Sequence, residues 1–313
     1  MLALTCQIVS AITIESKVQE IYPEKNKGYF KENVKVQVGD VTVTSPRAEL
    51  DLEPETKKPS IATFFDKPYA FQLRDNKKHE VKADIIKVSL INKVITAQGN
   101  AQINVLEDKK PTIIITAQTQ EYDTTKSLMT AVGSVVVNYE DITATSDKAS
   151  AVVDKKGDVR ELKLSSRATI RQNKNVVRGD SIEYVKARNT ITASGNTLSD
   201  VTFENGDRII VEARNQQYDR NGSLIMATGN VVVKYANYIA KGPKAILNIN
   251  PKTEQPEKVS FIGRSKIIEK GANSVEADKI LMTIEPREFQ ASGNVKTIIE
   301  QTSNTQDDME FSL

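Results

Sequence analysis

The 20-residue stretch VEARNQQYDRNGSLIMATGN, residues 211–230, returns four more times in the chain without a gap. Every copy opens on a β-branched residue, carries Ala or Gly two places later, and closes on Ala-x-Gly-Asn or Ala-x-Gly-Ser. A phrase repeated at fixed internal spacing is typical of an architecture that stacks one small unit. The other copies are VKADIIKVSLINKVITAQGN (81–100), ITAQTQEYDTTKSLMTAVGS (115–134), VRGDSIEYVKARNTITASGN (177–196) and VEADKILMTIEPREFQASGN (275–294).

Both halves of the phrase alternate apolar and polar residues. Ile86 and Val88 lie two places apart in the first half of one copy, and Ile225 and Ala227 do so in the second half of another. Alternation with a period of two places one face of a strand in an apolar interior and the other in water. A polar turn such as residues 219–222 separates the halves. The phrase therefore predicts a strand, a hairpin turn and a second strand.

A glycine falls inside the extended second half of every copy. Glycine within a strand marks a bulge or a sharp bend. We predict that the chain leaves one sheet here and enters the facing sheet, and an ordinary turn glycine is the alternative. These positions are Gly99, Gly133, Gly195, Gly229 and Gly293.

A second kind of unit groups the phrases into a longer repeat. It reads VTSPRAELDL, ITATSDKASAVV and IAKGPKAILNI, and the copies start at residues 43, 142 and 239. These starts lie 99 and 97 residues apart, so the chain traverses a super-repeat of just under a hundred residues about three times. Helical spacing is nearly absent. The fold class we predict is all-β, an elongated β-jellyroll or folded-over antiparallel sheet pair, with a parallel β-helix as the alternative.

The repeats indicate the domain boundaries, and the charge balance argues against a nucleic-acid partner. Because nothing between the repeats resembles a linker, we expect residues 14–299 to form one continuous repeat body. We expect residues 1–13 to be a truncated secretory-signal remnant or a first strand, and the polar residues 300–313 to be a flexible tail. Of the 313 residues, 43 are Lys or Arg and 41 are Asp or Glu, for a formal charge of +2. A nucleic-acid-binding chain normally has a larger basic excess, so we expect no nucleic-acid partner.

Catalytic constellations are hard to find in this sequence. His79 is its only histidine and Cys6 its only cysteine. These counts leave no His- or Cys-based metal spacing and no second histidine to build a nucleophilic site. His79 lies in the charged run 77–80, and we expect it to be solvated in a turn. We expect no enzyme, no catalytic residue, no cofactor and no metal.

The interior is the remaining candidate site. An apolar slot between two sheets can bind acyl chains, because each buried methylene contributes about 0.8 kcal/mol. The alternative is a structural or adhesive repeat protein whose core is closed by its own side chains. The candidate groove-lining residues, from the alternation, are Ile95, Ala97, Ile103, Tyr122, Met129, Ala131, Val135, Ile182, Tyr184, Ile191, Ala193, Tyr218, Ile225, Ala227, Val231, Val233, Ile280, Met282, Phe289 and Ala291.

The phrase resembles the repeat of the LptA/OstA-like periplasmic proteins of lipopolysaccharide transport. The resemblance is carried by Ala-x-Gly-Asn-Val-x-Val at residues 227–233 and by Val-Glu-Ala-Asp at residues 275–278, and it extends from about residue 14 to about residue 299. It implies a periplasmic β-jellyroll that binds the lipid A part of lipopolysaccharide, or a similar glycolipid, in an apolar groove. It also implies strand pairing, end to end, with itself or with inner- and outer-membrane transport proteins. The chain has roughly twice the repeats of the short bridge proteins. A long bridge, a fusion of bridge and inner-membrane partner, and a relative of the outer-membrane partner's N-terminal domain are the three roles that this length leaves open.

Overall fold

The computed structural model describes residues 12–74, 77–154, 159–203, 206–253, 255–269, 273–284 and 286–299. These residues form 22 β-strands and one 3₁₀ turn, Pro23–Lys25. Every strand pairing recorded among them is antiparallel, for example between β3 and β4, so the prediction of an all-β antiparallel fold is confirmed. Within this part of the chain, no helix is long and apolar enough to cross a membrane. The predicted remnant, residues 1–13, lies largely outside the described residues, and the predicted tail, residues 300–313, wholly outside them.

The chain divides into two compact units, Met1–Gly195 and Asn196–Leu313. The division falls within strand β15 (Thr190–Thr202). That residues 14–299 form one continuous body remains a prediction.

Unit 1 contains fourteen complete described strands. They are β1 (Ile12–Glu15), β2 (Val18–Tyr22), β3 (Lys27–Val38), β4 (Val41–Leu52), β5 (Pro59–Phe65), β6 (Tyr69–Arg74), β7 (Lys77–Lys82), β8 (Ile85–Ser89), β9 (Val94–Glu107), β10 (Lys110–Asp123), β11 (Leu128–Tyr139), β12 (Ile142–Val153), β13 (Val159–Gln172) and β14 (Asn175–Val185).

Unit 2 contains seven complete described strands besides the second part of β15. They are β16 (Arg208–Asp219), β17 (Leu224–Tyr235), β18 (Tyr238–Ile249), β19 (Pro256–Glu269), β20 (Ser274–Thr283), β21 (Glu288–Ser292) and β22 (Lys296–Ile298). The three copies of the second repeat unit begin or lie in β4, β12 and β18, each a strand of twelve residues.

Each long strand of unit 1 is bent and contributes to two layers. The pairing of β11 with β12 runs from Leu128 to Val132, skips two residues, and resumes from Val135 to Tyr139. Near the N-terminus some bent strands are interrupted at the bend and count as two strands. For example, β4 pairs with β6 through its first part and with β5 through its second. We call layer A the layer that contains β1, β6, β7 and residues 135–139, and layer B the layer that contains β2, β5, β8 and residues 128–132.

Unit 2 repeats this arrangement. Layer A of unit 2 contains residues 208–212, 231–235, 238–242, 265–269, 274–277 and β22. Layer B of unit 2 contains residues 215–219, 224–228, 244–249, 256–262, 279–283 and β21. The chain passes from layer to layer at the bends, and the hairpin turns of both layers lie at the opposite ends of the strand segments.

The predicted corner is confirmed at every copy of the phrase. Each of its five glycines has a positive φ, and the Asn or Ser that follows it has one too, as at Gly229 (φ +78°) and Asn230 (φ +52°). The pairing of β16 with β17 shifts register at this point. Two successive left-handed residues turn the strand sharply, and glycine reaches this conformation without the steric cost of a Cβ.

The side chain at the fourth position of the phrase lies against the glycine and leaves no room for a bulkier residue there. A Cβ built on Gly229 would lie 2.8 Å from the Cβ of Arg214 on the neighbouring strand, and one built on Gly293 would lie 2.8 Å from a carboxylate oxygen of Asp278. The Asp278 amide donates to the carbonyl of Gly293 at 2.8 Å, and Asn294 Nδ2 donates to Asp278 Oδ2 at 2.7 Å. Each bend therefore packs directly against the neighbouring strand.

The predicted turn at residues 219–222 is also confirmed. Asp219 Oδ1 accepts hydrogen bonds from the amides of Asn221 (3.0 Å) and Gly222 (3.1 Å). Asp123 makes the same contacts with the amides of Thr125 and Lys126, both at 3.0 Å. The Lys126 ammonium at 2.8 Å holds the pKa of Asp123 well below its usual range. An aspartate at the end of the strand thus satisfies the free amides of the turn.

The expectation for His79 was wrong. The residue lies on β7 with its side chain only 5% exposed, paired with Gln72 on one side and Val105 on the other. The run Lys77–Lys82 reads as charged, but its alternation places Val81 and His79 on the inner face. Strand periodicity outweighed local polarity here.

We predict that Gly229→Ala is much more destabilising than Gly206→Ala. Both glycines have positive φ, but a Cβ on Gly206 meets nothing within 4 Å. The left-handed backbone costs each variant about 1–2 kcal/mol, and the overlap with Arg214 adds about 1–3 kcal/mol to Gly229→Ala alone. Urea denaturation of the two variants measures the difference. Equal losses in the free energy of unfolding would contradict the role of the contact between the bend and the neighbouring strand.

Candidate functional site

The inner faces of layers A and B in unit 1 pack against each other through apolar side chains. One cluster combines Phe30 and Ala97 of layer B with Val36 and Ile103 of layer A, all of them buried. A smaller cluster joins Leu164 and Ile182 of layer B to Ala144 in layer A and to Ala168 beside the bend. The interior predicted from the alternation is therefore present, and the inward register is the predicted one.

Unit 2 has an apolar interior with a cavity of about 40 Å³ between its layers. Its walls come from both layers, with Val211 and Val233 on one side and Ile225 and Leu247 on the other. By this measure one water needs about 10–15 Å³, so the cavity is about three waters in size. An acyl chain of about a dozen carbons is several times larger. Side chains must move, or the layers must separate, before such a chain fits.

Most candidate lining residues lie in the apolar clusters of their unit. Buried members are Ala97, Ile103, Tyr122, Ala131, Val135, Ile182, Ala193, Ala227, Val231, Val233, Ile280 and Met282, and partly buried members are Ile95, Met129, Ile191, Ile225 and Ala291. Only Ile225, Ala227 and Val233 of the candidates line the cavity.

Three candidates lie outside these clusters. Tyr184 and Tyr218 are half-buried, each near the end of its strand where the layer meets a turn. Phe289 is 41% exposed on β21, and its ring lies 4.9 Å from that of Tyr238. It is exposed because β21 pairs only with β20 among the described residues, so one flank of its inner face has no neighbour.

Two polar residues of the interior were missed by the sequence analysis. The sixth position of the phrase is Ile86, Ile182 or Ile280 in three copies but Gln120 or Gln216 in the other two. All five side chains are buried. The exchange of Ile for Gln at one inward column was the signal that could have revealed a polar element in the groove.

Both polar atoms of the Gln216 side chain are hydrogen-bonded beside the cavity. Its Nε2 donates to Thr197 Oγ1 (2.9 Å) and to the Val211 carbonyl (3.0 Å), and its Oε1 accepts from Ser199 Oγ (2.7 Å). Thr197 Oγ1 donates in turn to the carbonyl of Ala213 at 2.9 Å. This network binds the carbonyls beside the bend, where the strand ladder is interrupted.

Aromatic and charged side chains meet at the turn end of unit 2. The hydroxyl of Tyr235 donates to Asp207 Oδ2 at 3.1 Å, and the Arg287 guanidinium lies 3.5 Å from that hydroxyl. Burial raises the pKa of Tyr235, so its hydroxyl stays protonated at neutral pH. Tyr238 donates to Glu269 Oε1 at 3.3 Å.

Within the described ranges, no group of three or more His, Cys, Asp or Glu side chains is placed to hold a metal ion. The chemistry that this interior offers is the burial of apolar groups.

We predict that Gln216→Ile lowers the free energy of unfolding by about 1–3 kcal/mol, because Ser199 and Thr197 lose their buried partner. The backbone accepts Ile at this position in three other copies of the phrase. Gln217→Ile, the next residue and on the opposite face of β16, is the matched control and should change stability by less than about 0.5 kcal/mol. Equal effects in urea denaturation would contradict the structural role of the Gln216 network.

The comparisons with known proteins agree with the predicted family resemblance over part of the chain. Residues 13–113 match the family described as LptA/(LptD N-terminal domain) LPS transport protein. No curated protein matches the sequence. Twenty chains of solved structures match, among them LptH of Pseudomonas aeruginosa, described as the LptA homologous periplasmic component of the conserved lipopolysaccharide transport device. That match has 12% identity, covers 59% of this chain and 82% of LptH, and has a TM-score of 0.18.

Proposed function

We propose that this chain, whose residues 13–113 match the LptA/LptD N-terminal domain family, is a periplasmic lipopolysaccharide-transport protein that carries acyl chains between its two layers. One structural observation supports this function. The inner faces of both layers are apolar, and the chain joins the layers only at the bends, with the hairpin turns at the opposite ends of the strand segments. Along the side of the turns the layers are held by side-chain contacts and not by chain connections, and a glycolipid would insert its acyl chains there.

The energetics favour such an insertion. Burying about a dozen methylenes contributes about 9 kcal/mol gross, from which ordering costs and the separation of the layers are subtracted. The small side chains at one inward column, such as Ala193 and Ala227, leave the least bulk to displace. The sugar and phosphate groups of lipid A would remain in water beside the turns. This ligand, lipopolysaccharide or a similar glycolipid, needs no cofactor and no reaction.

We predict that a photoreactive benzoylphenylalanine at Ile225 crosslinks to purified lipopolysaccharide, because Ile225 lines the cavity of unit 2. Met226 is the matched control, since the adjacent residue of the same strand faces outward, and exposed Arg220 in the turn is a second control. Mass spectrometry identifies the adducts.

Adducts at Ile225 alone would support the lipid-carrying function. The tight packing that leaves only about 40 Å³ favours the alternative of a structural repeat protein with a closed core. Equal labelling of all three sites, or of none, would support that alternative.

The proposed function includes assembly through the end strands, and the direction of these strands permits it. The first bent strand runs from layer A (β1) to layer B (β2), and the last runs from layer B (β21) to layer A (β22). If the last strand of one copy lies beside the first strand of another, the two are antiparallel and both layers continue. Within the described residues, β1 and β2 pair only with β3, and β21 and β22 only with β20.

The register of such a junction follows from the bends. In β3 the left-handed pair is Glu32 and Asn33, and β3 pairs Lys35 with Glu15 and Gly28 with Ile21. The equivalent left-handed pair of the last strand is Gly293 and Asn294. The same offsets place Lys296 opposite Glu15 and Phe289 opposite Ile21. The junction would pair opposite charges on the outer face and cover two side chains, Ile21 and Phe289, that are 61% and 41% exposed.

We predict that Lys296→Glu and Glu15→Lys each weaken self-association about twofold to fivefold, because each places like charges across the junction. The double variant Glu15→Lys/Lys296→Glu restores the opposite pair and should recover the wild-type association constant in sedimentation equilibrium. Glu15 also lies 3.8 Å from Lys35 of its own chain, so a thermal melt of each variant checks that the fold is kept. A double variant no better than the singles would reject this register.

A further inference from the structure

We propose that Arg287, Phe289, Tyr235 and Tyr238 form a clamp that closes the mouth of unit 2 and gates access to its cavity. The proposal rests on the proposed function, since it concerns how the acyl chains would reach the interior.

The four residues come from opposite layers. Tyr235 and Tyr238 flank the β17–β18 turn of layer A and pair with each other across it. Arg287 lies in the β20–β21 turn and Phe289 on β21, both on the side of layer B. Contacts between these two pairs therefore bridge the layers at the ends of the strands where no bend joins them.

Both contacts are aromatic. The Arg287 guanidinium carbon lies 5.2 Å from the ring centroid of Tyr235 and 5.9 Å from that of Tyr238. The Phe289 and Tyr238 rings are 4.9 Å apart at 55°. A guanidinium over an aromatic face and a tilted ring pair are both attractive arrangements. The hydrogen bonds of Tyr235 to Asp207 and of Tyr238 to Glu269 fix the two rings on their own layer.

The clamp lies between the turn end of the unit 2 strands and the cavity. Tyr235 pairs with Ile209 and follows Val233 by two residues on the same inner face of β17, and both of these neighbours line the cavity. Tyr235 is 3% exposed, so it covers the inner end of the passage, whereas Phe289 is 41% exposed at its outer end. A chain that enters the cavity from this side must displace the bridge.

The layer B half of the clamp is built to move. β21 has five residues and pairs only with β20 among the described residues, so few backbone hydrogen bonds hold it. An exposed cation–aromatic contact shifts an equilibrium about twofold to fivefold, which is a bias and not a lock. Segments with few buried contacts open locally at low cost. The clamp therefore holds the mouth closed but allows it to open.

The test measures access to the cavity without a lipid. In a Cys6→Ser background, Ile225→Cys is labelled with N-ethylmaleimide, and the clamp is removed by Arg287→Ala, Phe289→Ala or both. We expect the labelling rate to rise about threefold to fivefold in each single variant and about tenfold in the double variant. Arg287→Lys, which keeps the charge but loses the planar group, should lie between wild type and Arg287→Ala. Arg220→Ala, an exposed turn arginine of the same unit, is the matched control and should leave the rate unchanged.

A second measurement follows the stopped-flow association of a dansyl-labelled dodecanoyl chain with the same variants, and with Tyr238→Cys/Phe289→Cys closed by a short bismaleimide. We expect faster association without the clamp and slower association when it is crosslinked.

The two measurements separate the clamp from the proposed function. If labelling accelerates but no variant binds the dodecanoyl probe, the clamp stands and the lipid-carrying function fails. If the probe binds, but neither clamp removal nor crosslinking changes either rate while thermal melts show folded protein, the clamp is overturned and the function stands.

Discussion

The bend at the Gly–Asn pair is the constraint on which the rest of this structure depends. Two successive residues must adopt positive φ, and the glycine must leave room for the side chain of the neighbouring strand, which is Asp, Gln or Arg. Where the sequence supplies Asp at that place, as at Asp278, the carboxylate accepts from Asn294 and the amide donates to the Gly293 carbonyl. Left-handed residues on alternate strands, such as β9, β11 and β13, form the bends, and the strands between them bend alongside, so that each long strand serves both layers and pairs on either side of the bend. Each copy of the 20-residue phrase carries both partners of this contact, at its fourth position and at its closing Gly-Asn or Gly-Ser.

The bend also determines what the interior can do. It joins the layers covalently at one end of each strand segment, whereas at the other end only side chains hold them. The apolar faces are consequently packed near the bend and depend on contacts such as the Arg287 bridge near the turns. The proposed groove would form by separation of the layers and not as a permanent void, so a cavity of about 40 Å³ is compatible with a proposed ligand much larger than that. The Gln216 network satisfies the Val211 carbonyl at the bend, where the strand ladder is interrupted.

The first and last bent strands leave apolar side chains exposed. Exposed apolar side chains collect on them, including Ile12, Ile21 and Phe289, because a strand at the edge of a sheet lacks a flanking neighbour for its inner face. The first bent strand runs from layer A to layer B of its unit and the last from layer B to layer A of its unit, which is the order that antiparallel pairing between two copies requires.

The sequence alone determined the repeat, the all-β class, the inward register and the five glycine bends of the repeated phrase, because the alternation of side chains and the cost of positive φ are local properties of the chain. It did not predict the bend at Gly263 of β19, which lies outside the phrase. It predicted interior positions such as Ala97, Ile182 and Val231 for the same reason. It failed at His79, where a charged run became a strand with a buried face, and it overlooked Gln120 and Gln216, whose polar character is only intelligible beside the carbonyls they bind. Contacts between residues far apart in sequence, such as Arg287 with Tyr235 or Phe289 with Tyr238, were decided by the tertiary structure. Nothing in the local pattern specifies which turns of the two layers meet, since that depends on how the layers close over the side chains between them.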